Sequence, residues 1–471
     1  MKSARDNSTA YNFIGHKIFA SYSKSILQNL CALAFSNNND PKTALSDMDN
    51  KKTNTKKKQG KSLTKRITGW LHLWLGLVSG IILLAVTLSG TVFVFCDEIV
   101  DLCAGSAKYV QAPANTKKMS PEDLLAKFHQ QVPDRKAFYF DTYKEADRTF
   151  RVASATKPPK DKNAEKVEKP KGKGRGPRGV FAYHYLDPYT GKIIGSTKSY
   201  EFFYVVAHIH AQLLAGKFGK TVVGVASIIF FIQLIGGLIL WWPKKWNKTT
   251  RTTAFKIKSG TKWRRKNYDF HNVFGFYSLL PAVFITITGL IMAYKILTDL
   301  TQVAFGGAPD AHKIAEKYDP VYDPEKKALS FTDFIDRSFK ELPQAQQVRM
   351  SVPRKDSTTV YSIKAAKFIG LKSIVDGKSK EVNKYTGYEI NYPKEVLMHE
   401  VIEHMNFDLH VGYWGGMFGK IFTFVIGIIC SSLPVTGFLI WWGRRNKSGK
   451  KGKEIKNIHQ HRKESHHEQL V

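Results

Sequence analysis

The sequence predicts an α-helical integral membrane protein with four transmembrane helices, arranged as two tandem helix-domain-helix repeats, each carrying an extracytoplasmic α+β domain. Three observations predict it. Residues 67–95, 221–242, 270–294 and 421–443 contain no Asp, Glu, Lys or Arg, and each reaches the roughly 20 residues that a helix needs to cross a bilayer. The ends of these stretches are basic on one side: 51–66 hold eight Lys or Arg and no acid, 243–267 hold ten and no acid, and Arg444–Lys453 hold six. The second half of the chain also restates the first at an offset of 199 or 200 residues, and self-similarity at a fixed period marks a duplicated unit.

Each element follows in order. Residues 1–66 read as a basic, disordered cytoplasmic N-terminus. The first 50 lack the charged-then-apolar pattern and small-residue cleavage site of a signal peptide, so the helix at 67–95 serves as an uncleaved anchor. Met48, just ahead of the basic run, is a candidate start beside Met1. Lys and Arg collect in cytoplasmic loops, which puts 243–267 and the tail 444–471 inside with both termini, and 97–200 and 296–398 outside.

In the first outer domain, 97–200, Ser120-Pro-Glu-Asp-Leu-Leu-Ala-Lys-Phe128 reads as a capped amphipathic helix, and 149–152 and 180–185 as strands. The loop 157–178 is almost devoid of apolar residues and reads as basic and disordered. The uncharged run Phe202–Gly216 is too short to span, so 201–219 forms an interfacial segment that turns at Gly216 and Gly219 into the helix at 221–242. After the helix at 270–294, the second domain, 296–398, repeats the plan, with a helix at 330–336 and a strand at 360–363. Asp187-Pro-Tyr-Thr-Gly191 and Asn383-Lys-Tyr-Thr-Gly387 are matching turns. A second interfacial segment, 399–419, leads into the helix at 421–443. Cys96 and Cys103 are near enough in sequence either to bridge or to remain thiols.

A formal net charge of +33 over 471 residues raises nucleic-acid binding. The positive-inside bias and the lysine-rich linker account for that charge, so the implied partner is a lipid bilayer and no nucleic acid.

The duplicated anchors carry the chemistry. His72-Leu-Trp-Leu-Gly76 matches His271-Asn-Val-Phe-Gly275, and Ser89-Gly90 matches Thr288-Gly289. His210-Ala-Gln-Leu-Leu-Ala-Gly-Lys-Phe-Gly-Lys220 matches His410-Val-Gly-Tyr-Trp-Gly-Gly-Met-Phe-Gly-Lys420, and each leads through an apolar helix to Trp-Trp at 241–242 and 441–442. In these features, and in the Tyr-Thr-Gly turns and the Ile209-His210 and Leu409-His410 pairs, residues 60–446 resemble the membrane proteins with PepSY-associated transmembrane helices, some of which act as ferric-siderophore reductases. The resemblance implies PepSY-like outer domains, a bacterial inner (cytoplasmic) membrane, a four-helix core binding two b-type haems, and electron delivery to an iron chelate.

The residues argue for haem independently. Helices one and three enter from the cytoplasm, so His72 and His271 lie at the inner face, while His210 and His410, each ahead of an inward-running helix, lie at the outer face. Two histidines per face are what two stacked haem b groups with paired axial imidazoles require, and filled axial positions favour electron carriage over oxygen chemistry. Gly76 and Gly275 fall one turn from their histidines on the same helix face and leave room for a porphyrin; small-residue helix packing reads them equally well. His208 aligns with Asp408 and His404 with Tyr204, so each is a substitute ligand or a partner of one. His459, His461, His466 and His467 read as a solvated tail.

The expected activity is reduction of an extracytoplasmic ferric chelate, siderophore-like, docked against the outer domains and segments 202–216 and 394–416. The short, basic inner loops carry no glycine-rich phosphate-binding turn, so a separate cytoplasmic or membrane electron donor is expected. The rival readings are a non-redox adaptor that binds or regulates a peptidase, and a permease for the chelate.

Overall fold

The computed structural model describes residues 62–156, 180–353 and 355–468. The loop expected at 157–178 and most of the N-terminal segment 1–66 lie outside the described residues.

Helix α1 (Leu63–Phe93) is followed by α2 (Cys96–Ala104), α3 (Pro121–Gln131) and strands β1 (Arg135–Tyr143), β2 (Phe150–Thr156), β3 (Phe181–Leu186) and β4 (Ile193–Thr197). Helix α4 (Ser199–Gln212) then leads into α5 (Gly216–Trp241), α6 (Lys248–Phe255) and α7 (Trp263–Ala293). Short helices α8 (Lys295–Ala304) and α9 (Ala311–Ala315) precede α10 (Phe331–Glu341), strands β5 (Gln347–Ser351), β6 (Val360–Ile369) and β7 (Ile374–Asn383), and finally α11 (Lys394–Val411) and α12 (Gly416–Glu468).

Helices α1, α5, α7 and the first part of α12 are long and apolar enough to cross a membrane, and the chain is a multi-pass membrane protein. Helix α1 packs on α5 and α12, and α7 packs on the same two, so α1 and α7 face each other across a four-helix ring. Hydroxyls within the bundle return to their own helix, as Ser79 donates to Leu75 O at 2.8 Å and Thr91 to Thr87 O at 2.7 Å; a backbone in lipid must be satisfied internally. Small residues set the approach. A Cβ on Gly427 of α12 would fall 2.2 Å from Thr91 Oγ1 of α1, a contact only glycine permits.

At one end of the bundle lies a single seven-stranded sheet in the order β4-β3-β2-β1-β5-β6-β7, antiparallel throughout. The sequence led to two separate α+β units, but β1 and β5 pair edge to edge, with Phe140 opposite Met350 and Asp141 opposite Arg349. The physical reason is that β1 and β5 would otherwise each leave an unpaired backbone edge, and joining them also joins the cores. Phe128, Phe140, Phe334 and Met350 bury together beneath α3 and α10. Both helices are capped as their sequences indicate, Ser120 accepting from Asp123 N and Ser330 from Asp333 N, each at 3.1 Å.

Asp141 sits fully buried on this seam. It accepts from Arg151 Nε at 2.8 Å, Arg349 Nε at 2.7 Å and Gln347 Nε2 at 2.9 Å. Burial alone raises a carboxyl pKa, but the two guanidiniums overcome it and hold Asp141 below its ordinary value.

Element limits also differ from the expected ones. The interfacial segment 201–219 is helix α4 plus the first turn of α5, and 399–419 overlaps α11, which begins at Lys394. The basic stretch 243–267 contains α6, held by an Asn247–Thr250 capping box. Beyond Arg444, where a loose tail was expected, the α12 backbone continues to Glu468.

Candidate functional site

The four histidines singled out by sequence come together as two pairs. His72 on α1 and His271 on α7 have ring centres 6.4 Å apart, at an interplanar angle of 86°. His210 on α4 and His410 on α11 have ring centres 5.9 Å apart, at 62°. All four rings are half-buried.

Hydrogen bonds fix the chemical form of three of them. His210 Nδ1 lies 2.8 Å from Val86 O, and His410 Nδ1 lies 2.9 Å from Ile285 O and 3.0 Å from Thr288 Oγ1. A carbonyl only accepts, so Nδ1 carries the proton in both and Nε2 keeps its lone pair. His271 Nδ1 lies 2.9 Å from Thr436 Oγ1, whose own proton goes to Ser432 O at 2.9 Å or Leu433 O at 3.1 Å, which again puts the proton on Nδ1. His72 Nδ1 is buried beside the backbone of Gln233.

The supporting residues match between the two halves of the chain. Val86 and Ile285 are 199 residues apart, as are Ser89 and Thr288. Ser89 Oγ donates to Ala85 O and Val86 O, and Thr288 Oγ1 to Phe284 O and Ile285 O. Gly90 and Gly289 complete each set. A Cβ on Gly90 would lie 2.7 Å from the His210 ring, and one on Gly289 would lie 3.0 Å from the His410 ring. These glycines let the imidazoles approach α1 and α7 closely.

Gly76 and Gly275 occupy a different setting. A Cβ on either meets nothing closer than 3.8 Å, Gln233 Nε2 for Gly76 and Leu433 for Gly275. Both line a cavity of about 390 Å³ that also contains His72, His271, Trp241 and Trp441. Its walls are mostly apolar, with Lys65 and Arg444 as its basic members. Gln233 contributes a carboxamide whose two polar atoms are buried without a partner.

Along α1, His72 and Val86 are fourteen residues apart, as are His271 and Ile285 along α7. That spacing stacks the two histidine pairs roughly 21 Å apart along the bundle, the His210–His410 pair nearer the sheet.

The remaining candidates stand apart from both pairs. His208 Nδ1 bonds Tyr204 O at 2.8 Å, and its ring lies against Tyr204 with centres 3.9 Å apart and planes tilted by 36°. His404 faces Glu400 at 3.6 Å. A further histidine of α11, His399, bonds Ala308 O through Nδ1 at 2.7 Å. The side chains of the four tail histidines lie outside the described residues. Cys96, Cys103 and Cys430 are free thiols.

Two imidazoles per site fit a metal that brings further ligands of its own, since among the described residues no group of three or more His, Cys, Asp or Glu could hold a bare ion. The spacing agrees. A metal held between two imidazole nitrogens through bonds of roughly 2 Å, with each ring centre about 1.1 Å behind its nitrogen, sets the centres about 6 Å apart. An Nδ1–H donated to a carbonyl or hydroxyl is the usual brace of a metal-bound histidine. The mostly apolar space beside Gly76 and Gly275 suits a macrocycle, and Lys65 and Arg444 suit its carboxylates.

Sequence reasoning singled out the histidines and not the groups that brace them. The Ser89-Gly90 and Thr288-Gly289 match was visible as a repeat, yet only the fold shows that it faces the imidazoles. Thr436 had no signal, because its counterpart at the 200-residue offset is Gly236.

Compared with known families, the chain matches the PepSY-associated TM region over residues 69–444. No curated protein matches it.

Proposed function

Starting from the fact that this chain belongs to the family of the PepSY-associated TM region, we propose that it carries electrons across a membrane through two b-type haems and reduces a ferric chelate on the sheet side. One observation carries the reading: two stacked histidine pairs, in which three of the four imidazoles have Nδ1 engaged and Nε2 free. In this reading the chain is two tandem helix-domain-helix repeats in a bacterial inner membrane, with both termini and the loop around α6 cytoplasmic and the sheet outside.

Haem bound at each pair would supply a one-electron Fe(III)/Fe(II) couple. The protein's own groups do the rest. His72 and His271 hold the inner group, and His210 and His410 the outer one. Val86 O, Ile285 O and Thr436 Oγ1 fix the tautomers and orient the rings. Gly76 and Gly275 keep the inner space open, and the surrounding Leu and Phe side chains exclude water. A separate donor on the cytoplasmic side or in the membrane supplies electrons, and the acceptor is a siderophore-like chelate.

The test is an absorption spectrum of protein purified from haem-sufficient cells. Dithionite-reduced b-type bands at two haems per chain are expected. A colourless protein that still folds would turn the reading toward a non-redox adaptor, and iron accumulation inside vesicles without haem turnover would turn it toward a permease.

A further inference from the structure

A second cavity, of about 460 Å³, opens where the end of α7, α8, α11 and the β6–β7 hairpin meet. Its volume falls in the range of small-molecule sites. Lys364 from β6 and Lys372 from the hairpin turn line it, together with Asn406, Phe407, His404 and Glu403. Among the described residues neither lysine has a salt-bridge partner. Of the nearby acids, Glu403 faces His399 at 3.4 Å and Glu400 faces His404 at 3.6 Å. Burial, with Arg349 and Lys372 close by, pushes the Lys364 pKa down against the opposing pull of Glu400 and Asp141.

The turn that carries Lys372 is fastened. Buried Asp97 at the start of α2 accepts from Leu371 N, Lys372 N and Ser373 Oγ, and from Tyr413 OH at 3.1 Å. A side chain on Gly370 would collide with the Asp97 carboxylate. The cationic wall is therefore set in advance, which lowers the ordering cost of binding. The opposite wall reaches the histidine pair near the sheet. Asn406 Nδ2 donates to Thr288 O at 3.1 Å, and Thr288 Oγ1 lies 3.0 Å from His410 Nδ1.

We propose that this cavity is the docking site of the terminal acceptor and that it selects an anionic ferric chelate with oxygen ligands, held by the ammonium groups of Lys364 and Lys372. The proposal rests on the reductase reading. The step it serves is a one-electron transfer: chelated Fe(III) becomes Fe(II), the electron comes from the donor that reduces the protein, and no covalent bond forms or breaks.

The probe is gallium(III) citrate, an anionic and redox-inert chelate, titrated calorimetrically into the full-length protein in detergent. The wild type should bind it, with affinity falling as salt rises. The Lys364→Glu, Lys372→Glu double variant should bind about tenfold more weakly or worse, and the milder Lys364→Gln, Lys372→Gln variant should lie between, both with unchanged haem spectra. No binding by the wild type, or binding as tight as the wild type's by both double variants, overturns the proposal. Failure of the reductase reading looks different: gallium citrate still binds in a lysine-dependent way to a protein without haem bands.

Discussion

His210 Nδ1 lies 2.8 Å from the carbonyl oxygen of Val86, so a histidine on one helix is oriented by the backbone of another. That bond comes from the turn of α1 that also contains Ser89 and Gly90. The same arrangement joins His410 to Ile285.

Replacing Gly90 by Ala tests the brace directly. The added methyl would sit 2.7 Å from the His210 ring, and such overpacking typically costs about 1–3 kcal/mol. The expected outcome is loss of the haem nearer the sheet, read as one haem per chain instead of two. Two full haems in Gly90→Ala would mean that the ring position is not critical.

Thr436→Val removes the acceptor of His271 Nδ1 while keeping the side-chain shape. Losing such a brace generally weakens metal affinity by about 10–100-fold. Haem release from the inner site to an apo-myoglobin trap should accelerate, with the outer site unaffected. Equal release rates in variant and wild type would remove Thr436 from the site.

The pairing itself is tested by single alanine variants. His72→Ala or His271→Ala should abolish the inner haem and leave the outer one reducible by dithionite. The His210→Ala, His410→Ala double variant should keep the inner haem but lose reduction of an external chelate. Normal turnover by that double variant contradicts the proposed electron route.

Asp141 predicts an acid limit for the sheet. Its pKa is lowered from the ordinary 3.8, because Arg151 and Arg349 outweigh the cost of burial. A depressed carboxyl pKa contributes stability that is fully present above the unfolded value and disappears as pH falls through the folded one. Thermal unfolding should therefore lose this contribution only below about pH 4. Asp141→Asn should lower stability at neutral pH by about 3–5 kcal/mol, because two buried guanidiniums lose their counter-ion. A variant whose unfolding temperature matches the wild type at pH 7 would show that the seam does not depend on this charge.

By itself, the sequence determined the elements whose cause is local or periodic. Four stretches without a charged residue could only be satisfied as helices in lipid. The 199- and 200-residue offsets singled out His72, His271, His210 and His410. Ser120 and Ser330 announced capped helices through short-range bonds to the backbone three residues on. What required long-range contact was decided by the tertiary structure alone. The β1–β5 seam brings Asp141 to Arg349, more than 200 residues away, and nothing in either strand encodes the identity of its neighbour. The braces of His210 and His410 are carbonyl oxygens, which every residue possesses, so Val86 and Ile285 have no side-chain signature. Only the crossing of α4 over α1, and of α11 over α7, makes those two oxygens the acceptors that leave Nε2 free.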